Sequence, residues 1–239
     1  MLEATFINHR DTTLFDGLEN EFLEAYQLPA AERVARATMD LGRLAMRFAQ
    51  VERVPRYDEA SRENDAEHSF MLALVAPEIA TSYFPRLDPG LVAQFSIVHD
   101  LIELETGDVA TFTLSDEALE SKEAAEQHAL HDLADKLPRH SRQLLLRYEA
   151  QQEPEARFVR LIDKLLPVVV DIFGPGKKVM QEDYDITSST QLVENERRLS
   201  QKLRERFPEP ELRFLHLVRD ILATQFEIVY NWPEAPSVT

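Results

Sequence analysis

Apolar residues recur every three to four positions along most of this chain, the spacing of helices that bury one face. Val34, Ala37, Met39, Leu41, Leu44, Ala45 and Phe48 mark the apolar side of a first helix over roughly residues 30 to 51. A polar loop follows from Arg53 to Glu63. Asn64 has the chemistry of an N-cap, and Glu67 three residues on completes a capping box, so His68 falls in the first turn of the next helix. Pro77 removes a backbone donor and is expected to kink or interrupt that helix, which ends at Phe84-Pro85-Arg86-Leu87. Asp88-Pro89 reads as a cap followed by proline at the first helical position, opening a helix that runs to about Glu105, with Gly107 as its C-terminal cap.

Ser115 opens another helix, with Glu117 and Glu120 near its positive end. Pro138 separates it from a short helix rich in Leu144, Leu145, Leu146 and Tyr148. Glu153-Pro154 starts a helix that carries Asp163, and Pro167 is expected to bend it, because it cannot donate to the Asp163 carbonyl. Gly174-Pro175-Gly176 is the clearest break. Two amphipathic helices follow, roughly 187 to 206 and 209 to 230, then a tail expected to be extended and mobile. Only six glycines are present, and no alternating apolar run flanks an Asn-Gly or Asp-Gly turn. The expected fold class is therefore all-α: a single helical bundle over 30–175, an extension over 1–29, and additional C-terminal helices over 176–239.

The chain of 239 residues has 26 basic and 43 acidic residues, a formal net charge of −17. So acidic a surface disfavours a nucleic-acid polymer as partner and points to a small-molecule substrate. No stretch of about 18 uncharged apolar residues exists, which argues against a membrane span. Cysteine is absent, which excludes disulfides, zinc-thiolate sites and thiol catalysis and fits a cytoplasmic location.

One apolar stretch contains a costly pair. His99-Asp100 sits inside Phe95-Ser-Ile-Val-His-Asp-Leu-Ile-Glu103, where an imidazole and a carboxylate need a binding partner. His68 and Asp163 are also polar residues embedded in apolar helical patterns. Together the four supply two nitrogens and two oxygens, a set suited to one divalent ion (Mn, Co, Fe, Ni or Mg) with positions left open. Each residue alone has a plainer use: a buried His-Asp hydrogen bond, a histidine in a capped first turn, an Asp163 paired with Arg160 or Lys164. Their joint placement on three helices favours the metal site. Glu103 lies three residues from Asp100 and four from His99, so on a helix all three share a face, and Glu103 is a candidate general acid or base. Asp108, just past the helix end, is placed for the pocket rim. His9, His128, His131, His140 and His216 are expected at the surface.

These residues resemble the HD-domain metal-dependent phosphohydrolases. The order Arg53…Asn64-Asp-Ala-Glu-His68…His99-Asp-Leu-Ile-Glu103…Gly107-Asp108…Glu123…Glu126…Phe158-Val-Arg-Leu-Ile-Asp163-Lys is similar to their 5′-deoxynucleotidase branch, over residues 33 to 175. The resemblance implies hydrolysis of a nucleoside 5′-monophosphate at a metal held by His68, His99, Asp100 and Asp163. It assigns Arg53 to the phosphate, Glu103 to proton transfer, and Asp108 to the sugar or the reacting water. Val54 stands where bacterial relatives often carry an aromatic residue that lines the sugar pocket, a departure that bears on sugar preference. A nucleoside triphosphate or alarmone is the near alternative, with Arg56, Arg62, Lys122 and Lys177-Lys178 as the cations to hold it. A metal-stabilised helical module without turnover is the third reading. The amphipathic C-terminal helices suggest a homodimer.

Overall fold

The structure is a computed structural model that describes residues 27–109 and 112–231. The expected extension over 1–29 lies almost wholly outside these residues, as does the tail after Asn231; the side chains of Glu120 and Glu123 are outside them too. The chain divides into two compact units, one ending at Arg43 and one beginning at Leu44. The first helix, α1 (Gln27–Phe48), crosses that boundary. Its last residue, Phe48, is buried in the core of the second unit, with Leu44 packed against it.

In the second unit the chain runs β1 (Glu52–Arg56), β2 (Arg62–Asn64), α2 (Asp65–Tyr83), α3 (Pro89–Val98), α4 (Glu103–Thr106), α5 (Asp116–Lys136), α6 (Arg139–Ala150), α7 (Pro154–Asp163), α8 (Leu166–Phe173), α9 (Gly176–Asp183), α10 (Ser189–Arg206) and α11 (Arg213–Asn231). The fold is all-α apart from one hairpin. Several helix starts follow the capping chemistry of the sequence. The Asn64 side chain accepts from Ala66 and Glu67, and Glu67 reaches back to the Asn64 amide, so both halves of the capping box are made. Asp88 caps α3 ahead of Pro89, Ser115 caps α5, and Ser188 with Gln191 caps α10. Gly107 ends α4 at φ 73°, a conformation glycine adopts without steric cost.

Three expectations are corrected. The segment 53–63 is an antiparallel hairpin, not an irregular loop. Its turn is built on Asp58, whose carboxylate accepts from the amides of Ala60 and Ser61. Secondly, Pro77 does not interrupt α2, which runs through it to Tyr83 and ends at Phe84 as expected. Thirdly, the helix expected to reach Glu105 stops at Val98. Beyond it the chain tightens into i-to-i−3 bonds: Leu101 donates to Val98, Glu103 to Asp100, Leu104 to Leu101 and Glu105 to Ile102.

The main core joins α2, α3, α6 and α7 through Leu72, Ala76, Phe95, Leu145, Phe158 and Val159. Burial of these large side chains, at about 25 cal/mol per Å² of apolar surface removed from water, is what holds the helix ends in place around the site. A second cluster, with Val168, Val179, Leu192 and Phe226, joins α8 to α9, α10 and α11. Gly174 lets α8 close onto β1: a Cβ there would lie 2.2 Å from the Arg56 carbonyl oxygen. Among the described residues no helix is long and apolar enough to cross a membrane.

Candidate metal centre and active site

Four element ends meet at one point. His68 comes from the first turn of α2, His99 and Asp100 from the end of α3, Glu103 from the start of α4, and Asp163 from the last residue of α7. One ligand atom each from His68, His99, Asp100 and Asp163 lies within 4.8 Å of the others, and all four residues are buried. His68 Nε2 is 2.9 Å from Asp163 Oδ1. His99 Nε2 lies 2.9 Å from Asp100 Oδ2 and 3.7 Å from Asp163 Oδ1.

The outer nitrogens explain this orientation. His99 Nδ1 is 2.9 Å from the Ser96 carbonyl, an acceptor that requires a proton on Nδ1 and turns the Nε2 lone pair inward. His68 Nδ1 faces Glu63 Oε2 at 3.5 Å. Buried His99 Nε2 has no hydrogen-bond partner of acceptable geometry. Two inward lone pairs facing two carboxylates call for positive charge between them, and the donor set fits a borderline or hard divalent ion.

The surrounding charge supports the same conclusion. Glu63, Asp65, Asp100, Glu103 and Asp163 are buried, against the nearby cations Arg53, Lys122 and Lys164. If all ionised, five negative charges would face three positive ones, a deficit that one divalent ion offsets. Burial opposes a charged His99, but Asp100 and Asp163 outweigh it and lift the imidazole to about 9. Burial, with Asp100 adding repulsion, raises Asp65 to about 7 despite Arg53. Glu103 is pushed well above the ordinary glutamate range by burial, then by Asp100, Asp108 and Asp65. Asp100 and Asp163 go the other way, against their burial. His99 and Arg53 hold Asp100 down, while Lys164 and the two imidazoles hold Asp163 down.

The tightened turn after α3 changes which residues share a face. With about three residues per turn, Asp100 and Glu103 eclipse, and they cluster with Asp65. The three-residue pairing of Asp100 with Glu103 is thus made, and His99 lines the same cavity as both. Likewise Asp163 terminates α7 instead of preceding a bend: Leu165 donates to Ile162, and α8 restarts at Leu166 beside Pro167.

Arg53, on β1, lies within the site and is buried. Its Nε donates to Glu63 at 3.2 Å, and its Nη1 to Asp65 at 3.1 Å and to Asp100 at 2.8 Å. Asp108, half-buried, lines a cavity with Arg53, Asp100, Glu103 and Lys122. The sequence reading missed Glu63 and Asp65, which looked like ordinary loop and first-turn acids. It also missed that Lys122 reaches Glu103, at 3.6 Å. Of the cations suggested for a longer phosphate chain, Arg56 and Arg62 instead hold Asp183, and Lys178 holds Glu59. His128, His131 and His140 are exposed, but His216 is buried, its Nε2 against the Phe207 carbonyl at 2.9 Å. Its place on the apolar face of α11, next to Leu215, was the available signal.

Comparison with known proteins agrees with this geometry. The chain is 30% identical over 124 residues to the 5′-deoxynucleotidase HDDC2 of Homo sapiens, covering 48% of this chain and 58% of that protein. It thus spans less than two thirds of that relative's length. The fold matches a crystal structure of a predicted metal-dependent phosphohydrolase from Magnetospirillum magnetotacticum MS-1, with a TM-score of 0.62 and 24% identity. That match covers 83% of this chain and 96% of the other. The family described as the HD domain matches residues 46–206, more than half of the chain and every residue of the four-ligand cluster. The chain belongs to the HD-domain family.

Proposed function

We propose that this protein is a metal-dependent phosphohydrolase that cleaves nucleoside 5′-monophosphates to nucleoside and phosphate. The observation that carries the reading is the conjunction of a four-ligand cluster with Glu103, a buried carboxyl that clusters with Asp100 and lines the same cavity as His99. A purely structural metal site needs no such neighbour.

Bound at His68, His99, Asp100 and Asp163, a divalent ion would polarise the phosphoryl group and acidify water. The chain's own residues supply the rest. Glu103 is placed to exchange a proton with the attacking water or the departing 5′-oxygen. Lys122, close to Glu103 Oε1, holds that carboxyl toward the cavity. Arg53 aligns Asp65 and Asp100 through Nη1, lines the cavity, and is the residue assigned to the phosphate. Asp108 and Val54 share the Arg53 cavity and are the residues assigned to the sugar side. The name of the relative, a 5′-deoxynucleotidase, supports a nucleotide substrate.

The test is phosphate release from a panel of ribo- and deoxyribonucleoside monophosphates with Mn, Co, Fe, Ni and Mg. His99→Ala is expected to abolish turnover. A metal-loaded enzyme that leaves every monophosphate intact would refute the reading.

A cytoplasmic location belongs to the same proposal and is supported by the lack of cysteine. A homodimer is supported by α11, where Phe214, Leu217 and Ile221 are exposed at three- and four-residue spacing and Ile228 two turns beyond, past the polar Thr224 and Gln225. Ile221→Glu is expected to give a monomer by light scattering; an unchanged mass would exclude α11 as the interface.

A further inference from the structure

The chain carries a net charge of −17, yet one cavity collects cations. It has a volume of about 400 Å³ and opens on His99, Asp100 and Glu103. Lys122, Arg160 and Lys164 line it, each already facing a carboxylate: Glu126, Glu149 and Asp163 respectively. The opposite wall is α10, which contributes Arg198, Lys202 and Arg206. These three are spaced four residues apart and so lie along one helix face. The two hydrogen bonds of Arg198 go to neutral acceptors, the Phe112 carbonyl and Asn195 Oδ1, each at 3.0 Å. Cations at a helix C-terminus complement its dipole, which accounts for a basic last turn. It does not account for Arg198 two turns earlier, nor for a stripe that faces the metal-ligand cavity.

We infer that this cavity takes a nucleotide bearing a second phosphate, which the α10 stripe of Arg198, Lys202 and Arg206 holds while the first is hydrolysed at the metal cluster. The inference rests on the phosphohydrolase reading above. The acidic cluster repels a polyanion, and a local cationic wall offsets that field where the second phosphate lies. Guanidinium forks match phosphate oxygens, and Arg198 has donors suited to that contact. In the reaction the oxygen of water bonds to phosphorus and the bond from phosphorus to the leaving oxygen breaks. Glu103 gives that oxygen its proton, and the proton lost by water restores Glu103. The second phosphate is unchanged. It can stand on the 3′-oxygen, as in a nucleoside 3′,5′-bisphosphate, or next to the first, as in a 5′-diphosphate; both present the same chemistry to α10.

The experiment compares the 5′-monophosphate, the 3′,5′-bisphosphate and the 5′-diphosphate of one nucleoside on the full, metal-loaded chain. Wild type, Arg198→Ala and Arg198→Ala/Lys202→Ala are assayed together. The expected result is a kcat/KM at least about tenfold higher for one doubly phosphorylated substrate, and which one identifies the position of the second phosphate. In the double variant KM for that substrate rises about tenfold with kcat unchanged, while the monophosphate keeps its KM. Equal kcat/KM for all three substrates, or an equal rise in KM for the monophosphate, would overturn the inference. A second readout needs no turnover: inorganic pyrophosphate is titrated calorimetrically into metal-free wild type and the double variant. Binding lost in the variant supports the anion site, and equal binding in both overturns it. If no ester is cleaved yet pyrophosphate binding depends on Arg198 and Lys202, the phosphohydrolase reading fails and the anion site stands.

Discussion

Arg219 joins α11 to α10, the helix that walls the cationic cavity, and its removal tests how that wall is held. The guanidinium is 1% exposed. Its Nη2 donates to Glu196 Oε2 and its Nη1 to Ser200 Oγ, both at 2.5 Å. Arg219→Met keeps the apolar stem and leaves Glu196 buried without its cation. Breaking a buried pair from one side costs about 3–5 kcal/mol. The carboxylate has an escape, however: it can take up a proton. At pH 7 that costs about 1.4 kcal/mol for each unit above an ordinary glutamate value near 4.3, so roughly 3.7 kcal/mol in total. The penalty at pH 7 therefore sits near that ceiling, and at pH 5.5 the ceiling falls to roughly 1.6 kcal/mol. The sign follows from linkage. Burial already raises Glu196 even with Arg219 present, and losing Arg219 raises it further. A carboxyl raised in the folded state contributes stability at low pH that is lost as pH rises through its folded value. Urea unfolding of both proteins at pH 5.5 and 7 measures the difference. The double variant Arg219→Met/Glu196→Leu removes the orphaned charge and is expected to recover most of the loss. A deficit that is the same at both pH values, with no recovery in the double variant, would refute the argument and assign the effect to packing alone.

Three further outcomes are expected. A divalent ion at about 100 times its Kd should stabilise the fold by about 2.7 kcal/mol. For a chain of this size that is roughly 5–10 °C in Tm, and a chelator or His68→Ala should remove the shift; an unchanged melt with ion present would contradict the four-ligand site. Glu103→Gln should lower kcat by about 10²- to 10⁴-fold with bound metal unchanged, and a kcat near wild type would remove Glu103 from proton transfer. Gly174→Ala should destabilise by about 1–3 kcal/mol, because its Cβ would overlap the Arg56 carbonyl of β1; a thermal melt equal to wild type would show that α8 and β1 can separate freely.

The helices were legible because their signals are local. Caps such as Asn64 with Glu67, Asp88 with Pro89, and Ser115 act within one turn of chain. The hairpin was hidden because its inward positions are Arg53, Pro55 and Glu63, so the alternation that marks a strand is not apolar. Arg53 and Glu63 are buried for the site, where they pair with each other and Arg53 also reaches Asp65 and Asp100. The break at His99 was hidden for a related reason. Its surroundings read as unbroken apolar helix, and only packing of α3 on α2, α6 and α7 decides where the ladder yields, whereas Pro167 marked the irregularity after Asp163.

By itself, then, the sequence determined the helical class, most of the helix boundaries and the four ligand-type residues, because periodicity, capping and the cost of burying polar groups act on short spans of chain. Tertiary structure alone decided that Asp65 and Glu63 join the site, that Arg53 is bound by three carboxylates, and that Arg198, Lys202 and Arg206 share a cavity with His99. Those relations connect side chains on different elements, and they exist only once the helix ends have been brought together by the core.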